Sequence, residues 1–285
     1  MRNRVKSLLL VALVALAVSG CVRRAGHEPE SFSWNEDLAP GSVLHIRSGT
    51  GTITVAAVPG PTARIRASRS WRRGRSSDIR FQVTRSGDRS EVYVCAMWRA
   101  SGRCDANGYR GKRVDTFLSF LSLFHRTTDA AASFIVEVPE GVGVDAKTTN
   151  GSVVIDGVRS GVTARTVNGS VSARGVGGRL NLATTSGNVR LSVTSLDGAD
   201  TIRAVTVHGT VHAELPASTQ GAFDLAANNG RVRSEFPIQT SEAPTGRRQH
   251  IVGRIGDANR VVRLRATTGS VALIKALPDS AGERH

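Results

Sequence analysis

TARTVNGSVSARG, residues 163–175, decides the fold. Read alone, its Asn168-Gly169 pair predicts a two-residue hairpin, because that dipeptide tolerates the backbone angles of a tight turn. Read against the rest of the chain, it is one copy of a repeat, and a repeat fixes the architecture before local turn chemistry does. Gly151, Gly169, Gly187, Gly209, Gly230 and Gly269 follow one another at spacings of 18, 18, 22, 21 and 39 residues, and an earlier copy sits at Gly51. The last spacing is about two periods, so one coil between Gly230 and Gly269 is expected to be degenerate or looped out.

The apolar columns around these glycines carry the reading. Seven residues before each stand Val144, Val162, Leu180, Ile202, Phe223 and Val262, and two residues after stand Val153, Val171, Val189, Val211, Val232 and Val271. Thr148, Thr166, Thr184 and Thr206 recur three positions before the glycine. The alternation has period 2 on both sides of the glycine, which is the signature of half-buried strands. Outward positions are polar, as in Asp145 and Lys147, Thr163 and Arg165, Arg263 and Arg265. A hairpin meander and a parallel β-solenoid both satisfy that pattern. The constant residue type in each column favours the solenoid, in which glycine marks a corner and like residues stack into ladders. The expected fold is therefore all-β: a parallel, β-helix-like solenoid with coils of about 18–22 residues and two short strands per coil, interrupted by a basic and apolar insertion.

The chain begins MRNRVKSLLLVALVALAVSGC. Three basic residues precede an apolar run, Leu8 to Val18, which is shorter than the roughly 20 residues that cross a bilayer. The pattern predicts an export signal over 1–21. Val18-Ser19-Gly20-Cys21 resembles a bacterial lipobox, which implies cleavage before Cys21 and acylation of that cysteine. Val22 is not the aspartate of an inner-membrane retention signal, so outer-membrane placement is expected, facing the periplasm or the cell surface. Residues 22–39 read as a tether, 40–278 as the solenoid with an insertion over about 99–131, and 279–285 as a tail. Cys95 and Cys104 remain as a pair, and in an oxidising compartment a disulfide between them is expected.

The formal net charge is +15. Outside the cytoplasm a basic balance points to anionic glycan or lipid headgroups rather than nucleic acid, and the base-stacking aromatics of a nucleic-acid groove are missing from the basic strands. Arg190, Arg231, Arg233, Arg263 and Arg265 form the candidate anion-binding set, with an ordinary solvated surface as the alternative. Glu214 and Glu235 hold the same column in successive units; on stacked coils they would lie within about 5 Å, an arrangement that with Asp224 offers acid–base work on a glycan. His208 and His212 show no metal spacing. No metal, cofactor or catalytic residue is assigned.

TTNGSVVIDGV, TVNGSVSARGV and the proline-ended links FIVEVPEG (134–141) and VHAELPASTQG (211–221) resemble the bacterial putative-adhesin β-strand-repeat family, a domain of unknown function. The resemblance covers roughly residues 40–278. It implies an exported parallel β-solenoid without established catalytic residues. The expected function is a non-catalytic envelope lipoprotein, a binding or scaffolding module anchored in the membrane through its N-terminal lipid. Its partners would be an anionic glycan, a lipid headgroup or an envelope protein. A carbohydrate-active enzyme on a β-helix and an envelope-stress or signalling partner are the alternatives. ARIRAS, DIRFQV and EVYVCAMW are expected to extend one sheet, VDTFLSFLSLFHR (114–126) to form a helix over the solenoid or an interfacial contact, and 241–250 to leave the array as a loop.

Overall fold

The computed structural model describes residues 27–71, 79–98, 103–105, 108–110, 130–238, 249–257 and 259–276. The leader expected over 1–21 with Cys21, the apolar stretch 114–126 and the tail expected over 279–285 lie outside the described residues. Every regular element among the described residues is a strand.

Alternating apolar residues put one face of each strand inward, and two large sheets share the resulting core. In chain order, the first sheet takes β1 (His27–Asp37), β3 (Ile53–Val58), β4 (Thr62–Ser70), β9 (Ala131–Pro139) and β11 (Val153–Asp156). It also takes β13 (Val171–Val176), β15 (Val189–Val193), β17 (Val211–Leu215), β19 (Val232–Ser234) and β22 (Val271–Lys275). The second sheet takes β2 (Val43–Arg47), β5 (Arg80–Arg85), β6 (Glu91–Met97), β10 (Gly143–Lys147) and β12 (Val162–Asn168). Its remaining members are β14 (Leu180–Ser186), β16 (Thr201–His208), β18 (Gly221–Asn229), β20 (Gln249–Ile255) and β21 (Val261–Thr268). A small hairpin, β7 (Arg103–Asp105) and β8 (Gly108–Arg110), forms a third, two-stranded sheet.

The strands flanking Gly169 do not pair with each other. β12 lies between β10 and β14 in the second sheet, whereas β13 lies between β11 and β15 in the first, and all four pairings are parallel. Gly169 is thus a corner between sheets. Its φ is +152°, and a Cβ there would sit 2.1 Å from the carbonyl oxygen of Gly151 one layer away. No side chain fits that approach. The threonine column closes the same corner from inside: the Thr166 hydroxyl donates to the Gly151 carbonyl at 2.8 Å, and Thr184 and Thr206 repeat the bond to Gly169 and Gly187. These buried hydroxyls are satisfied along the stack, as buried polar groups must be.

The order of layers departs from the order of the chain at both ends. β21 and β22 lie between the β16–β17 layer and the β18–β19 layer. The coil carrying Gly269 therefore fills the place next to Gly209, and the Gly230 coil is pushed outward. Among the described residues, no further parallel rung lies between those two coils in sequence. The chain between them supplies β20 instead, which pairs antiparallel with β18; the loop expected over 241–250 thus gives way to strand by Gln249 and His250, and 241–248 lie outside the described residues. At the other end the β2–β3 layer lies between β10–β11 and the layer formed by β6 and β9. The segments expected to extend one sheet are divided. Residues 63–68 lie in β4 of the first sheet, while β5 and β6 extend the second. Antiparallel strands close this end as well, β4 on β9 and β5 on β6.

The interior holds mainly Val, Ile, Leu and Ala at or near zero exposure. Each fully buried Val or Leu contributes about 1.5–3 kcal/mol of transfer free energy. The largest fully buried side chains, Phe134 and Phe223, sit near the two ends. Phe81 meets Phe134 edge-on and Phe236 lies against Phe223. Aromatic rings thus plug the core where the repeat stops.

Candidate functional site

Outward residues of the second sheet fall into two columns, because parallel in-register pairing puts like positions side by side at about 4.8 Å. One column runs Asp145, Thr163, Asn181, Arg203, Arg263, Asp224. The other runs Lys147, Arg165, Ala183, Val205, Arg265, Ala226. Each begins or ends beside a carboxylate that gathers cations, and the stretch between carries guanidinium groups.

At the first end Asp145 Oδ2 accepts from Arg47 Nη2 at 2.6 Å and lies 3.1 Å from His45 Nδ1 and 3.2 Å from Lys147 Nζ. Arg47 also donates through Nη1 to the Asp145 backbone carbonyl at 2.5 Å. Although these residues point away from the core, they are covered. Tyr93 stacks on the His45 ring at 4.3 Å, and Tyr93, Cys95, Met97 and Cys104 form a second buried cluster. A Cys95–Cys104 disulfide, with Cα atoms 5.8 Å apart, ties β7 down onto this face, and the expected pairing of these cysteines is present. His45, Arg47 and the neighbouring Lys147 hold the Asp145 carboxyl far below the usual carboxylate range despite burial, which acts in the opposite direction. Burial, reinforced by its hydrogen bond to Glu91, pushes the Tyr93 hydroxyl up to about 12.

At the other end Asp224 accepts from Arg263 Nε at 3.0 Å and Arg265 Nη2 at 2.6 Å, and its other oxygen lies 3.0 Å from His250 Nε2. Burial raises its pKa, but Arg265, His250 and Arg263 together outweigh that effect and hold it below the ordinary value.

Arg203 sits between these ends, one strand from Arg263. It donates to Asn181 Oδ1 at 3.3 Å. Partial burial, followed by repulsion from Arg165, Arg263 and Arg265, pulls its pKa below the usual arginine range. Its surroundings therefore penalise its charge, and an anion from solution would relieve that penalty.

The five arginines singled out from sequence do not form one ladder. Arg263 and Arg265 lie on the second sheet and are engaged by Asp224. Arg190 and Arg233 belong to strands of the first sheet, and Arg231 leads into one of them. Arg165 was readable only as a polar-face residue and Arg203 was not singled out; the signal missing was the identity of the neighbouring strand. Glu214 and Glu235 are also corrected. β22 lies between their strands, with Ile274 opposite Glu214. Two strand spacings, about 10 Å, separate the two positions, and Glu235 accepts from the Lys275 backbone N–H. Asp224 is on the other sheet. His212 pairs with Arg190 on the first sheet, and His208 ends β16 at the corner.

The crystal structure of a "putative cell adhesion protein" from Clostridium sporogenes aligns over 86% of this chain and 99% of its own, with 11% identity and a TM-score of 0.44. That of a "putative adhesin" from Bacteroides fragilis aligns over 87% and 100%, with 10% identity and a TM-score of 0.39. No curated protein matches the chain. The Toastrack DUF4097 family model matches residues 74–273, more than half of the chain, and the chain belongs to that family.

Proposed function

We propose that this protein is a non-catalytic binding or scaffolding module of the cell envelope, exported by its leader, held to the membrane by acylation of Cys21, and presenting the outer face of its second sheet to anionic groups of a glycan or lipid surface. The observation that carries the reading is the crowding of Arg165, Arg203, Arg263 and Arg265 on one flat face, with Arg203 disfavoured by its own cationic neighbours. A rigid stack of parallel strands holds such groups at fixed spacing, which suits repeated anions better than a single small substrate. The two neighbours described as adhesins agree with a binding role in their printed names.

The test is vesicle flotation with the Cys21→Ser full chain, so that no acyl chain drives association. Binding to phosphatidylglycerol vesicles that weakens as salt rises, with none to phosphatidylcholine, is the expected result. Equal binding to both vesicles refutes the anionic-surface reading; binding to neither rules out its lipid form. Loss of palmitate labelling in Cys21→Ser checks the anchor separately.

A further inference from the structure

We infer that the seam between the inserted C-terminal coil and its neighbours is a phosphoryl-binding subsite, built by Arg165 and Arg203 from one side and by Arg263 and Arg265 from the other. The inference rests on the anionic-surface reading above and assigns it a place and a chemistry.

The geometry follows from the register. Arg203 on β16 and Arg263 on β21 are direct neighbours, and Val205 and Arg265 are neighbours in the next column. Continuing that column away from Arg265, Val205 is followed by Ala183 and then Arg165. Arg165 and Arg265 are thus three strand spacings apart, about 14 Å between backbones. Only Ala183 and Val205 lie between them, and both are short and half-buried. Register consequently places Arg165 and Arg265 at the two ends of a low floor of alanine and valine, with Arg203 and Asn181 along one side and Arg263 at a corner.

Each arginine retains donors for a ligand. Arg263 reaches Asp224 through Nε and Arg265 through Nη2, and Arg203 reaches Asn181 through Nη1. A guanidinium carries five N–H donors, so most remain. The four cations stand at different positions around the floor. A tetrahedral phosphoryl group offers acceptor oxygens in several directions, whereas a planar carboxylate is matched by one or two forks in its own plane. Asp224 occupies the far edge as an internal counter-charge, which leaves Arg165 and Arg203 as the pair with no carboxylate bonded to them among the described residues.

The site also spans β12, β14, β16 and β21, the last of which is distant in sequence from the other three. A bound phosphoryl group would tie the inserted coil to the layer beneath it, so ligand binding and stability are linked.

The experiment uses the full chain in neutral detergent. The probes are glucose 1-phosphate, dihexanoyl phosphatidylglycerol below its micelle concentration, and glucuronate as the carboxylate comparison. Calorimetry reads affinity and the melting temperature reads the linkage. Arg165→Gln with Arg203→Gln is expected to weaken both phosphoryl probes about tenfold, the loss of a charge-assisted contact, and to abolish the ligand-induced rise in melting temperature. Arg190→Gln with Arg233→Gln, on the other sheet, is expected to leave both unchanged. Binding of the sugar phosphate alone assigns a glycan source, and binding of the lipid alone assigns a headgroup; both support the subsite. Undiminished affinity in the Arg165/Arg203 variant overturns it, as does glucuronate binding as tightly as glucose 1-phosphate. If phosphatidylglycerol vesicles bind while neither soluble phosphoryl probe does, the subsite fails and the broader reading stands; if vesicles and probes all fail, both fall.

Discussion

Asp145 and Asp224 lie in the same outward column near opposite ends of one sheet, and each is held by two long cations and a histidine. The acids are equally covered, with 15% and 17% of their side chains exposed. Their partners are not. Arg47 is 3% exposed, whereas Arg263 and Arg265 are 46% and 50% exposed. The difference comes from what is laid over each cluster. Tyr93 and the disulfide-tied hairpin cover the first, while the arginines of the second reach into solvent. The same arrangement of two long cations and a histidine is therefore structural at one end and, under the proposed reading, open to ligands at the other. The state of the cation, rather than that of the acid, separates the two roles.

The comparison can be broken most directly at Asp145. Asp145→Ala leaves the Arg47 guanidinium buried without its carboxylate, and a loss of about 3–5 kcal/mol is expected by denaturant unfolding. The hairpin comes next. Cys95→Ser with Cys104→Ser removes a short covalent loop worth about 2–3 kcal/mol. Faster amide exchange in β6 than in β16 would localise that loss to the covered end. Asp224→Ala, by contrast, releases cations that water can solvate, and about 1 kcal/mol or less is expected. A cost at Asp224 equal to that at Asp145 would dissolve the distinction.

Acid sharpens the contrast. Both carboxyls are held below their ordinary values in the folded protein. A group so depressed stabilises the fold fully above its unfolded pKa, near 4, and that contribution is lost as pH falls through the folded value. Melting temperature should therefore decline below about pH 4. Asp145→Asn is expected to flatten that decline more than Asp224→Asn, because its carboxyl is the more strongly depressed of the two.

Much of the architecture was legible because the repeat writes it in columns. Val162, Ala164, Thr166 and Val171 each have counterparts one unit away, and period-2 alternation fixed which side faces inward. The corner role of Gly169 followed from the same comparison. The order of layers was not legible. Val262 carries the same column signature as Ile202 and Phe223, so it fits beside either, and nothing local says that it lies between them. That ambiguity hid the candidate site, since Arg203 meets Arg263 only through the insertion. It also produced the expectation of a close Glu214–Glu235 pair, which the inserted Ile274 prevents. His45 and Asp145 were unreadable as partners for a related reason: 100 residues separate them, and their contact depends on a layer filled out of chain order. The cysteine pair was readable because an exported chain was expected, and reading Cys21 as the acylation site leaves Cys95 and Cys104 to each other.

The coil at residues 261–275 has a bearing on how the protein is made. It is the last coil in sequence among the described residues, yet its place lies inside the stack. Until it arrives, the edges of β16 and β17 on one side and β18 and β19 on the other face a gap with their ladder groups unpaired, the condition that invites pairing with foreign strands. Contacts between such distant parts of a chain also form slowly. A chain released before Val261 would carry two open seams that β21 and β22 fill in the folded protein, which gives proteases a structural mark of incomplete synthesis.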